Sequence, residues 1–113
     1  MPTPSIAHVL NEYLSFGELL DDAYWEASAI EHKDFIYNLI SLLSQELLEL
    51  KGVDENEQHY HYEFISEGIR RIFPKLTELE NNLEDIVSRT QTLTDMKEVL
   101  SNVIAIIEEQ SEL

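Results

Sequence analysis

The chain has 113 residues and sets 23 Asp and Glu against 7 Lys and Arg, a formal charge of −16 with histidine neutral. So few cations exclude a direct nucleic-acid binder, which needs a basic face to neutralise phosphates, and work against adsorption to anionic membranes. Leu, Ile, Val and Phe make up 36 of the residues, too many for a chain kept disordered by low hydrophobicity, and cysteine is absent, so one core must hold without disulfide staples.

Apolar residues recur three and four apart almost throughout, and only 3 Gly and 3 Pro interrupt them. The expected fold is therefore all-α: a single helical domain over residues 1–113, built as an antiparallel bundle of four to five helices. Thr3 and Pro4 read as an N-cap followed by proline at the first helical position, opening a helix with Ile6, Val9, Leu10, Tyr13 and Leu14 on its apolar face. Gly17 is expected to end or bend it, and residues 19–22 either finish it or turn into the next helix. The second helix is expected from about Asp22 to Lys51, with Gly52 as its stop signal. Its apolar residues, from Phe35 and Ile36 through Leu39, Ile40, Leu42 and Leu43 to Leu47 and Leu50, cover an arc of roughly 160°, wider than the stripe of an ordinary surface helix. Either several helices or a second subunit pack on it.

A third helix is expected from Asp54, where Glu57 completes an Asp-x-x-Glu capping box. Its stripe is Ile65, Ile69, Ile72, Phe73 and Leu76, with Phe64 and Gly68 at the edge. Pro74 breaks or kinks it, and a fresh helix starting at Pro74 is the simplest reading. That helix places Leu76, Leu79, Leu83, Ile86, Val87 and Thr90 on one side. The Thr-rich run 90–94 then reads as a turn in which Thr92 caps a last helix from Asp95 to about Gln110, burying Met96, Val99, Leu100, Val103, Ile104 and Ile107.

Secretion and membrane insertion have no sequence support. Polar His8, Asn11 and Glu12 interrupt the first apolar positions, no Lys or Arg precedes Lys33, and the longest uncharged stretch, 35–45, is far short of the ~20 apolar residues of a span. A cytoplasmic location is expected, in keeping with the lack of cysteine.

Motifs for chemistry are sparse. His59 and Glu63, one helical turn apart if the segment is helical, form a two-ligand pair, short of a metal site; the competing reading is a solvated flank with His61 at the core edge. No His has Glu three residues before it, so the di-metal pattern of ferritin-like bundles is missing. There is no cysteine, no Gly-x-Ser-x-Gly elbow and no Gly-rich phosphate loop, and all three arginines follow the last histidine, whereas the HEPN class of helical ribonucleases places His after Arg. Neither enzymatic activity nor a cofactor or metal is expected.

Glu46 falls inside the apolar arc of the second helix, where a carboxylate needs a partner. Arg70, Arg71 or a cation from another molecule are the candidates, and escape to solvent past the edge of a neighbouring helix is the alternative. Tyr13, Phe16, Tyr24 and Trp25 cluster near Gly17; they either cap the core or, flanked by Glu12, Glu18, Asp21, Asp22 and Glu26, form a contact surface for a basic partner. Asp54, Glu55 and Glu57 make a second acidic cluster. Negative charge is spread along the chain, 9 acids against 2 bases up to Lys51 and 14 against 5 beyond it, so it is no acidic tail.

In size and composition the chain resembles three groups of small acidic proteins: immunity or antitoxin proteins that plug nuclease active sites, phage proteins that mimic DNA, and anti-CRISPR inhibitors. That resemblance implies an inhibitor or neutraliser of a basic, nucleic-acid-binding protein, met through Glu12, Glu18, Asp21, Asp22, Tyr24, Trp25, Glu26, Asp54, Glu55 and Glu57. The competing reading is a homodimeric helical scaffold or assembly subunit with the second helix as its seam and no inhibitory role.

Overall fold

A computed structural model describes residues 4–87 and 89–111. Over the described residues the chain is an all-α bundle of five helices: α1 (Ile6–Glu26), α2 (Ile30–Lys51), α3 (Ile72–Asn81), α4 (Leu83–Ile86) and α5 (Thr90–Ser111). A connection of three residues forces α2 back antiparallel along α1, α5 packs on another side of α1, and α3 closes the core against α5 and α2. Tyr13, Phe16, Leu20, Ile36, Leu39, Leu43, Leu50, Ile72, Leu76, Leu79, Met96 and Val103 are buried in one continuous cluster. Among the described residues no helix is long and apolar enough to cross a membrane.

Several element boundaries differ from the sequence expectation. Helix α1 runs through Gly17 and residues 19–22 to Glu26, because Tyr13, Phe16, Leu20 and Ala23 continue its buried face on both sides of the glycine. Packing of that face outweighs the roughly 1 kcal/mol that glycine costs in a helix interior. The break falls instead at Ala27–Ala29, where Ala27 and Ala29 adopt extended backbone angles, so α2 starts at Ile30 rather than Asp22. No glycine or proline marks this turn. The Lys33 ammonium donates to the Tyr24 carbonyl at 2.6 Å, satisfying one of the acceptors exposed at the end of α1. The α2 terminus at Lys51 and Gly52 agrees with the expectation.

The cap of α1 is Ser5, whose hydroxyl accepts from the His8 amide at 3.2 Å; Thr3, expected in that role, lies outside the described residues. The remaining first-turn amides reach across the fold. Ile6 N donates to Tyr60 O at 2.9 Å and Ala7 N to Gln58 O at 3.0 Å, while Tyr62 N donates back to Pro4 O at 2.9 Å. Residues 58–62 therefore cannot form the third helix expected from Asp54, since their backbone groups complete the start of α1. What remains of that helix is one 3-10 turn at Glu55–Glu57, with the Asp54 carboxylate accepting from Asn56 N at 3.0 Å. Ile65, expected in its apolar stripe, is exposed, and Gly68 is buried against α2.

Helix α3 begins at Ile72, two residues before Pro74, after a 3-10 turn at Ile69–Arg71. Pro74 thus occupies the first turn, where its missing N–H is one that no helical carbonyl could have received. Leu76, Leu79, Leu83, Ile86 and Val87 are all buried as expected, but over two helices parted at Asn82, and Thr90 is exposed. Helix α5 starts at Thr90 and runs through the Thr-rich segment: Thr92 is buried rather than a cap, and its hydroxyl donates to Glu26 Oε2 at 3.1 Å. Met96, Leu100, Val103, Ile106 and Ile107 form its buried face, with Val99 and Ile104 half-buried beside them.

Candidate functional site

Three arrangements stand out from the bundle. The first is internal. Glu46 is completely buried, as its helical position requires, and its partners are neither arginines nor solvent. Tyr62 Oη donates to Glu46 Oε2 at 2.5 Å, Ile65 N to the same oxygen at 3.0 Å and Ser66 N to Oε1 at 2.7 Å. Tyr13 Oη in turn donates to Tyr62 Oη at 3.1 Å, with the two rings edge to face at 5.7 Å. Arg70 and Arg71 are exposed, Arg70 lying over the Phe64 ring. Three convergent donors offset the desolvation of the carboxylate, so Glu46 pins the irregular 62–66 segment to α2. Burial pushes the Tyr13 hydroxyl well above its ordinary range, the hydrogen bond with Tyr62 opposing the rise and the Glu46 charge adding to it. Tyr62 is raised further, first by burial, then by Tyr13 and by its bond to Glu46. Sealed from solvent, this chain of groups holds structure together.

The second arrangement is the acidic surface of α1. Glu18, Asp21, Asp22 and Trp25 recur at the three- and four-residue spacing of one stripe, and all four are exposed. The two helices bring the rest of the expected cluster elsewhere. Glu12 is half-buried and accepts from Asn102 Nδ2 of α5 at 3.4 Å; Glu26 is half-buried, takes the Thr92 hydroxyl and lies 3.5 Å from Arg89. Both join α1 to α5 and so leave the contact surface. Tyr13 and Phe16 belong to the core, whereas Tyr24 is half-buried with the Lys33 ammonium 4.6 Å from its ring centre. Trp25 stands 73% exposed, edge-on to Tyr24 at 5.2 Å. Asp54, Glu55 and Glu57 are exposed, but they follow the C-terminus of α2, next to the start of α1, and thus lie at the opposite end of the α1–α2 hairpin from Asp22 and Trp25, about one helix length of ~30 Å away.

Carboxylates are not gathered in one patch: exposed Asp or Glu occur on every helix and in both irregular connections around the 3-10 turns. The α1 stripe is set apart by the exposed Trp25 that continues it; its lack of an ion pair it shares with most exposed carboxylates of the described residues. Glu84, by contrast, sits 3.9 Å from Lys97 beside an open concavity of about 470 Å³ at the α3–α4 junction. Among the described residues no ion pair neutralises Glu18, Asp21 or Asp22, and Glu18 and Asp21 border a groove of about 310 Å³ between α1 and α2.

The third arrangement is the His59–Glu63 segment. Outside a helix, residues four apart separate by up to ~13 Å instead of stacking in one turn, and the expected ligand pair dissolves. His59 is exposed against the Tyr60 ring at 4.5 Å, His61 is exposed rather than at the core edge, and Tyr62 takes the buried position. Among the described residues no three His, Asp or Glu side chains come together to hold a metal ion. Compared with protein-family models, curated proteins and solved structures, the chain matches none.

Proposed function

We propose that the protein acts by binding, as a cytoplasmic inhibitor or neutraliser of a basic protein, with the outer face of α1 as its point of contact and without catalysis. The observation that carries this reading is the stripe Glu18, Asp21, Asp22 and Trp25: Glu18 lies one helical turn from each of two adjacent aspartates, no ion pair among the described residues reaches any of the three, and beside them stands an exposed indole with the Lys33 ammonium 5.8 Å from its ring centre. Like charges at these spacings destabilise an isolated helix by about 0.2–0.5 kcal/mol per pair, a cost with no structural return. A cationic surface converts it into attraction, and tryptophan is the residue type that most often anchors an interface. The chain's overall charge of −16 supplies a long-range field that speeds encounter, while the stripe selects the site of docking.

The test is kinetic. A partner captured on the tagged protein at low salt and released at high salt is returned to wild-type protein and to the double variant Asp21→Lys, Asp22→Lys. Association should slow by about tenfold or more at low ionic strength, with a flatter salt dependence, while the melting temperature stays nearly unchanged because both positions are exposed. Equal association rates for the two proteins refute the assignment.

A further inference from the structure

Charge is distributed unevenly along α2. Between Asp34 and Glu49 the only Asp, Glu, Lys or Arg is Glu46, which is buried, so the outward side of this stretch carries no such charge in a chain where more than a quarter of residues are charged. Tyr37, Ser41, Ser44 and Leu48 follow one another on that side at helical spacing, with Tyr37 and Leu48 left 59% and 73% exposed, and exposed Asp34 closes the stripe at its N-terminal end, one turn from exposed Ile30. Along one edge of the stripe runs the groove between α1 and α2. Leu43 and Gly17 form its floor, Leu14, Ile40 and Leu47 its sides, and Glu18 and Asp21 its α1 rim. Gly17 keeps the floor low: a β-carbon there would only just touch Leu43 and Leu47, at 3.7 and 3.8 Å. Trp25 continues the α1 rim toward the hairpin turn.

We infer that this groove receives an amphipathic helix of the partner protein, one that bears Lys or Arg along a single flank. Two antiparallel helices with an apolar furrow between them form the seat into which a third helix packs, its residues at i, i+3, i+4 and i+7 filling the furrow. The two edges differ in charge. Glu18, Asp21 and Asp22 face one flank of the incoming helix, whereas Ser41, Ser44 and Tyr37 face the other with neutral groups, so only one flank needs cations. A second copy of this chain fits poorly: α1 carries no Lys or Arg, α2 has only Lys33, already held on the Tyr24 carbonyl, and Lys51 at its far end, and a seam between copies would set acid against acid. The inference rests on the reading of α1 as a surface for a cationic partner and adds the shape of the element that meets it.

The test uses the full chain and two synthetic peptides of one composition, one with Leu at i, i+3, i+4, i+7 and Lys on one flank, the other scrambled to remove the period. Titration calorimetry should show the ordered peptide binding about tenfold or more tighter, and amide resonances of Gly17, Ile40, Ser44 and Leu47 should shift. Gly17→Met, which fills the furrow, and Tyr37→Gln with Leu48→Gln, which change only exposed side chains, should weaken the ordered peptide and spare the scrambled one. Asp21→Lys with Asp22→Lys should weaken both alike. Equal binding of the two peptides, or shifts confined to Asp21, Asp22 and Trp25, overturns the groove while leaving the acidic stripe intact. Failure of both peptides to bind, or indifference to the charge reversal, overturns the stripe and the groove together. A dimer in sedimentation whose formation shifts the same groove amides places a second copy there and overturns the partner helix.

Discussion

Replacing Glu46 by Ala removes the acceptor on which three donors converge, and the cost can be worked from their surroundings. Tyr62 Oη is buried and loses its strongest bond, at about 2 kcal/mol; the Ile65 and Ser66 amides are partly buried and reach some water, at about 1 kcal/mol each. The loss is then about 4 kcal/mol, a large part of the 5–15 kcal/mol that holds a domain of this size. Urea unfolding followed by far-ultraviolet circular dichroism measures it directly, and the melting temperature should fall by about 15 °C. Tyr62→Phe keeps the edge contacts to Tyr13 and Phe64 and loses only the hydroxyl, about 1.5 kcal/mol. In the double variant the Tyr62 hydroxyl is no longer there to be stranded, while the Tyr13 hydroxyl lacks its acceptor just as in Tyr62→Phe alone, so the cost should fall short of the sum of the two singles by about 1–2 kcal/mol. A loss below about 1 kcal/mol for Glu46→Ala, or strict additivity with Tyr62→Phe, refutes the claim that this carboxylate pins the 62–66 segment.

Alkaline pH should act on the same groups. Tyr13 and Tyr62 have folded-state pKa values raised above the unfolded value near 10, so their contribution is fully present below pH ~10 and is lost as pH rises beyond it, when the unfolded chain releases protons that the folded one retains. Stability should decline by up to ~2.7 kcal/mol per pH unit there, with the tyrosinate absorbance of Tyr13 and Tyr62 themselves, taken as the difference from a Tyr13→Phe, Tyr62→Phe variant, appearing together with unfolding rather than before it. Gly17→Ala should raise stability by about 1 kcal/mol in thermal melts, since its new methyl meets Leu43 and Leu47 at ordinary contact distance in a helix interior. Ser5→Ala should cost about 1 kcal/mol by freeing the His8 amide, and amide exchange should quicken first at residues 6–9.

The helical class, the ends of α2 at Lys51 and of α5 near Gln110, and most of the core were legible from apolar periodicity, which is the part of the code read by local burial. Most of the misreadings share a cause: a contact distant in sequence overrode a local signal. Gly17 looked like a stop, but Tyr13, Phe16, Leu20 and Ala23 carry the buried face of α1 past it. Asp54 and Glu57 formed a convincing cap, yet Gln58 and Tyr60 carbonyls serve the amides of α1, and Tyr62 is drawn inward by Glu46. The Ala27–Ala29 break has no turn residue at all. For the candidate site, Glu46 was identifiable because a charge inside an apolar arc is conspicuous, while its donors were hidden in a segment read as helical, whose amides are then already used. On α1, the helical period could have separated Glu12 from Glu18, Asp21 and Asp22; Glu26 lies one turn beyond Asp22 and is withdrawn by Thr92 and Arg89, and the groove depends on how α1 and α2 pair, neither of which the sequence displays.

The central functional claim is that one side of the α1–α2 hairpin meets a cationic partner. Carbodiimide labelling of carboxylates, read residue by residue by mass spectrometry with and without the captured partner, examines that claim with the native protein. Glu18, Asp21 and Asp22 should lose reactivity on complex formation while Glu80, Glu84, Asp85 and Glu98 keep theirs. Protection of the α3–α5 acids with Glu18, Asp21 and Asp22 still fully reactive contradicts it.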